Sequence, residues 1–183
     1  MIAYREVKHL FKYIDLICGC SCFADLLALR MFPNAKEITE SMAAYEALFH
    51  KVPVFDMGDR DVTLAVVGDG HTPRTAALFA FRSRWDCHSI DPVLRKTYPS
   101  VARLTCHKSL IQDFPEMEVS KLVLVAVHSH APLGVAYQKF KARDRITVAI
   151  PCCVKQEIGR VPDFEYRDEH IWSPHNLVKV WRD

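Results

Sequence analysis

Apolar residues follow two different rhythms along this chain. Up to about residue 50 they recur at helical spacing, and from Val62 onward they come in short continuous runs broken by polar turns. In the first region Tyr4–His9 leads into Leu10, Phe11, Ile14 and Leu16 at the spacing of an amphipathic helix. A second helix is expected over Phe23–Met31, and Pro33-Asn34 separates it from a third over Glu37–His50. In that third helix Ile38, Met42, Tyr45, Leu48 and Phe49 fall near one face, with Thr39 or Ser41 as the expected cap. Pro53, Gly58 and Asp59-Arg60-Asp61 then form a connector.

In the second region strands and helices alternate. Val62–Val67 is an apolar run of the kind buried on both faces of a parallel sheet. Thr75–Arg82 reads as a helix, Trp85–Ile90 as the second strand and Pro92–Tyr98 as a short helix or turn. Val101–Cys106 is the expected third strand, Lys121–Val127 the fourth, Gly134–Ala142 a helix and Arg145–Ile150 the fifth strand. After Pro162, the segments Phe164–Tyr166, Ile171–Trp172 and Leu177–Trp181 suit short antiparallel strands. The pattern predicts an α/β fold: a Rossmann-like, doubly wound, mostly parallel sheet with an antiparallel C-terminal edge. Residues 1–58 are expected as a helical addition packed on the core, and residues 59–183 as the Rossmann-like domain.

Composition narrows the partners. A net charge of +2 in 183 residues gives no argument for nucleic acid, and DNA is not an expected partner. The cluster Lys139, Lys141, Arg143 and Arg145 reads as a solvated helix face. No window approaches eighteen uninterrupted apolar residues, so no membrane partner is expected. The charged N-terminal stretch reads as an amphipathic helix rather than a signal peptide, and a cytoplasmic location is the expectation. The 7 cysteines read as reduced thiols packed as small apolar groups. Cys18, Cys20 and Cys22 lack C-x-x-C spacing, and adjacent Cys152 and Cys153 are poorly placed to share an ion, so no metal centre is expected.

The candidate chemistry begins at Gly68-Asp69-Gly70, which follows the first strand directly. Glycines allow a sharp turn and close approach to a ligand, while Thr72 is positioned to cap the next helix and Pro73 to occupy its first position. The third glycine of a dinucleotide fingerprint would fall at position 73, where proline stands, and this weakens an NAD site. Asp91 ends the second strand and lies where an acid accepts hydrogen bonds from a ribose diol. Asp113-Phe114 follows the third strand, with a carboxylate for an adenine amino group and a ring for the base. His128 and His130 end the fourth strand on one face, an arrangement open to proton acceptance or metal ligation, although no third ligand is identifiable.

The order of glycine turn, ribose acid, third-strand acid, fourth strand and fifth strand resembles the class I S-adenosylmethionine-dependent methyltransferases. The likeness covers roughly residues 60–183. More narrowly, His128-Ser129-His130 and Pro151-Cys152-Cys153 are similar to a methyltransferase-like group whose fourth strand runs into His-x-Cys-Gly and whose fifth runs into Pro-Cys-Cys. His130 and Ala131 stand where that group has cysteine and glycine. The resemblance implies S-adenosylmethionine as cofactor, with Gly68, Asp69 and Gly70 along its methionine part. It puts Asp91 on the ribose and Asp113 and Phe114 at the adenine. His128 then faces the methyl group from the end of the fourth strand, and His128 and His130 are the candidate catalytic side chains as proton acceptors. RNA, protein and small molecules stay open as methyl acceptors. The Asn/Asp-Pro-Pro-Tyr/Phe motif of exocyclic base methylation is replaced by His-Ser-His-Ala-Pro. A methyltransferase-like module that binds RNA or a protein without turnover is the alternative, and an NAD-dependent oxidoreductase stands behind it.

Overall fold

The computed structural model describes residues 11–51, 55–95 and 101–183. Parts of three predicted segments, Tyr4–Leu10, Pro53 and Lys96–Tyr98, lie outside the described residues. The strands are β1 (Val62–Val67), β2 (Asp86–Ile90), β3 (Leu104–His107), β4 (Met117–Val127), β5 (Phe140–Ile150), β6 (Phe164–Arg167) and β7 (Leu177–Arg182). They form one sheet in the order β3-β2-β1-β4-β5-β7-β6. β1 to β5 pair in parallel, whereas β7 runs antiparallel to both β5 and β6. This is the predicted Rossmann-like α/β architecture with its antiparallel edge.

Among the described residues five α-helices accompany the sheet: α1 (Lys12–Cys18), α2 (Phe23–Ala28), α3 (Ala35–Glu46, continued by a π-helical turn over Ala47–Lys51), α4 (Arg74–Arg82) and α5 (Leu133–Lys139). Strand alternation sends side chains to opposite faces, and both faces are covered. Leu64 and Val66 of β1, Val123 and Val125 of β4, and Val148 of β5 pack with Tyr13, Leu26, Met42 and Phe79 from α1 to α4. On the other face Val67, Leu124 and Ala149 pack with Leu133 and Ala136 of α5 and with Phe114. The N-terminal helices and α4 therefore share one apolar layer. No described helix is long and apolar enough to cross a membrane.

Several predicted boundaries move for identifiable reasons. β3 starts at Leu104 rather than Val101 because Arg103 has a positive φ of 61° and a turn joins Leu104 N to Val101 O. The helix expected over Gly134–Ala142 ends at Lys139, and 140–142 extend β5, where Phe140 pairs with Met117 and stacks on Phe114. The basic cluster is thus mostly a strand. Lys141 pairs with Glu116, while Arg145 is buried over the Tyr137 ring and donates to the Tyr137 and Phe140 carbonyls. Ile171 and Trp172 form no strand; they lie in the β6–β7 loop, where the Trp172 amide donates to Thr39 Oγ1 at 3.0 Å. Thr39 is accordingly buried mid-helix, and the cap of α3 is Asn34, whose side chain accepts from Glu37 N at 3.0 Å.

The start of α4 departs most from expectation. Thr72 donates its hydroxyl to Met31 O at 2.6 Å and does not cap the helix. Pro73 occupies the cap position without a side chain able to accept, so the free amides are served from further back. Asp69 is buried beneath them: Oδ1 accepts from Thr75 N at 3.0 Å, and Oδ2 from Ala76 N and Ser89 Oγ at 3.1 Å each. Burial pushes its carboxyl above the usual aspartate value, with Arg74 and the helix amides pulling against it. Replacing Asp69 with Ala leaves three donors without their acceptor. Urea titration is expected to show a loss of about 3 kcal/mol with an unchanged slope. A loss under about 0.5 kcal/mol would mean that the carboxylate does not hold this junction.

Candidate functional site

A cleft of about 370 Å³ opens beyond the carboxyl ends of the parallel strands. Gly68 and Gly70 contribute from the turn after β1; Asp91, Pro92 and Val93 follow β2; Leu110 and Gln112 follow β3. His128, His130, Ala131 and Pro132 follow β4, and Arg74 reaches in from α4. β1 lies between β2 and β4, so the chain departs to either side of it. Such a switch point is where open α/β sheets hold their ligands.

The two glycines are required by the protein's own packing. Gly68 has φ +72°, and a Cβ there would collide with the Ser129 side chain at the end of β4. Gly70 has φ +87°, and a Cβ there would meet the Arg74 guanidinium. The Gly70 amide donates to Asp91 Oδ2 at 2.8 Å, and the Val93 amide donates to Asp91 Oδ1 at 2.8 Å. One buried carboxylate thereby ties the glycine turn to the segment after β2. Each of its oxygens retains a further lone pair for a ligand hydroxyl.

Helix α3 orients two side chains of this cleft. Glu37 Oε2 lies 2.8 Å from Arg74 Nε, and Arg74 also donates from Nη1 to Asp69 O. One turn later the buried Glu40 carboxylate lies 3.0 Å from His128 Nδ1 and 2.6 Å from Lys36 Nζ. His128 leaves β4 with a left-handed φ of 46°, and its Nε2 lies 2.9 Å from His175 O. In this arrangement each ring nitrogen of His128 faces a protein oxygen. His130 is exposed, with Nε2 3.1 Å from Cys153 Sγ.

Of the residues expected at the site, Gly68, Gly70, Asp91, His128 and His130 are brought together. Asp69 is turned beneath the turn and into the start of α4. Asp113 is exposed and does not line the cleft, and Phe114 is buried between His107 and Phe140; Leu110 and Gln112 take the wall after β3 instead. Arg74, Glu37 and Glu40 were not anticipated. Arg74 carried a usable signal, because a cation in the first turn of a helix opposes the helix dipole unless an acid faces it. Comparison with known proteins adds no relative: no protein-family model matches the chain, and neither does any curated protein.

Burial raises the Glu40 pKa, but the hydrogen bonds from His128 and Lys36 outweigh it and hold the carboxyl below its ordinary value. A depressed folded pKa contributes stability above the unfolded value, about 4.3, and loses it as pH falls through the folded value. Glu40→Gln should therefore cost on the order of 3 kcal/mol at pH 7. The gap from the parent protein should close as the pH is lowered below that ordinary range. Urea midpoints measured across the acid limb check this, and a gap independent of pH would contradict the ionic pairing.

Proposed function

We propose that the cleft binds S-adenosylmethionine and that the protein transfers its methyl group to an acceptor. The observation that carries this reading is Asp91, set at the switch point beside Gly70 with lone pairs left for a ribose diol. Pro92, Val93 and Leu110 supply apolar walls for the adenine, and Arg74 a cation for the carboxylate of the amino-acid part. The residues present therefore suit this cofactor.

Two features speak against a dinucleotide. Pro73 stands where a third glycine would lie, and the antiparallel β7 is inserted between β5 and β6, a departure from the dinucleotide-binding order.

When bound, the cofactor supplies an electrophilic methyl group on its sulfonium. The protein's part is then positioning, since the acceptor's lone pair must lie in line with the methyl carbon. The wall formed by His128, His130, Ala131 and Pro132 is where an acceptor would rest. With both ring nitrogens engaged by protein oxygens, His128 orders that wall, and the reading favours acceptors that need no base. The same engagement favours one alternative, a cofactor-binding module for RNA or a protein partner without turnover.

Thermal unfolding with S-adenosylmethionine, S-adenosylhomocysteine and NAD tests the reading. Either sulfur compound at one hundred times its dissociation constant should stabilise by about 2.7 kcal/mol, and NAD should not. Asp91→Ala should abolish the ligand-induced shift, read relative to the variant's own melting temperature because Gly70 and Val93 also lose their acceptor. Asp113→Ala should leave the shift intact. Stabilisation by NAD alone overturns the proposal. Cofactor binding with no transfer of labelled methyl to RNA, protein or small molecules selects the module instead.

A further inference from the structure

Beside the cleft, the loops after β4 and β5 bring together three soft donor groups that the cofactor reading does not use. His130 Nε2, Cys152 Sγ and Cys153 Sγ lie within 4.8 Å of one another, the one such ligand set of this kind found among the described residues. The two sulfurs are 3.7 Å apart, and Cys153 Sγ is 3.1 Å from His130 Nε2. Two thiolates on one tetrahedral zinc, each at about 2.3 Å, are separated by roughly 3.8 Å. The adjacency of Cys152 and Cys153, which on sequence argued against a shared ion, thus places both sulfurs at the required spacing. Relative to Cys153 the imidazole needs a small outward movement, since a sulfur and a nitrogen on such an ion lie roughly 3.5 Å apart.

The loops that carry these groups are fixed from beneath. Gln156 is fully buried, and its Nε2 donates to Ser129 O at 2.6 Å and to Ala131 O at 3.3 Å, on either side of His130. The segment after β5 therefore holds the segment after β4 in register with its own cysteines. Cys152 Sγ lies 3.6 Å from His128 O, and Cys153 is exposed. His128 is not part of the cluster; its ring nitrogens face Glu40 and the His175 carbonyl.

We propose that His130, Cys152 and Cys153 form a binding site for one zinc-type divalent ion, with the fourth position left to water or another ligand. Thiolate and imidazole donors select such ions over calcium or magnesium. Three protein ligands with one open position form the pattern of reactive rather than purely structural zinc sites. His130 also lines the cleft, so the ion would share a wall with it. The site stands independently of what the cleft binds.

Cobalt(II) is the probe, titrated into the reduced 183-residue chain in the absence of any nucleoside ligand. One equivalent is expected to bind with a thiolate-to-cobalt charge-transfer band of two-sulfur intensity, and zinc(II) should bleach it. Cys152→Ser and Cys153→Ser should each halve the band. His130→Ala should weaken binding about tenfold or more, and His130→Cys should restore it with a third sulfur increment. Cys18→Ser with Cys20→Ser should change nothing. Unaltered apo-protein melting curves for the variants at exposed His130 and Cys153 show that losses there are not failures to fold. No cobalt–thiolate band in the reduced protein, or a band that survives loss of both Cys152 and Cys153, overturns the proposal. So does a band that depends on Cys18 and Cys20.

Discussion

The junction of β1, β2 and α4 rests on the buried carboxylate of Asp69. It accepts two amides at the head of α4 and the Ser89 hydroxyl of β2, so a helix and a neighbouring strand meet on one side chain. With Asp69 drawn beneath the turn, Gly68 and Gly70 must take positive φ values to carry the chain over it. Gly68 then packs against Ser129 at the end of β4, and Gly70 presents its amide to Asp91 at the end of β2. Hydrogen bonds left unmade at so buried a point cost about 1–3 kcal/mol each, which makes this junction intolerant of change. The cleft is the space left above it.

The N-terminal helices take part in the site as well as covering one face of the sheet. Glu37 and Glu40, one turn apart on α3, hold Arg74 and His128 respectively. Two nitrogen-bearing side chains at the rim are thereby oriented by one helix. Glu40 in particular reaches the end of β4 from a position only 1% exposed. The same helix reaches the far edge of the sheet, where Thr39 receives the Trp172 amide from the β6–β7 loop and Tyr13 of α1 donates to Asp168.

Much of this framework was legible in the chain. Val62–Val67 matches β1 without adjustment, and the glycine turn and Asp91 meet as their spacing implied, because short-range strand and turn signals act locally. What escaped depends on contacts distant in sequence. Asn34 and Asp69 cap their helices where Thr39, Ser41 and Thr72 were expected, since those hydroxyls serve partners elsewhere in the fold. Phe140–Ala142 read as helix but pair with Met117–Val119, which no local pattern discloses. Phe114 is core rather than cleft because His107 and Phe140 close around it. The approach of His130 to Cys153 likewise depends on Gln156 bridging two loops.

Amide spectra of the isotope-labelled protein titrated with S-adenosylhomocysteine test most directly whether the cleft is a site for an adenosine cofactor. Saturable shifts at Gly68, Gly70, Asp91 and Val93, with Asp113 little affected, are the expected result. Shifts centred away from the turn after β1 and the end of β2, or none at millimolar ligand, would contradict it.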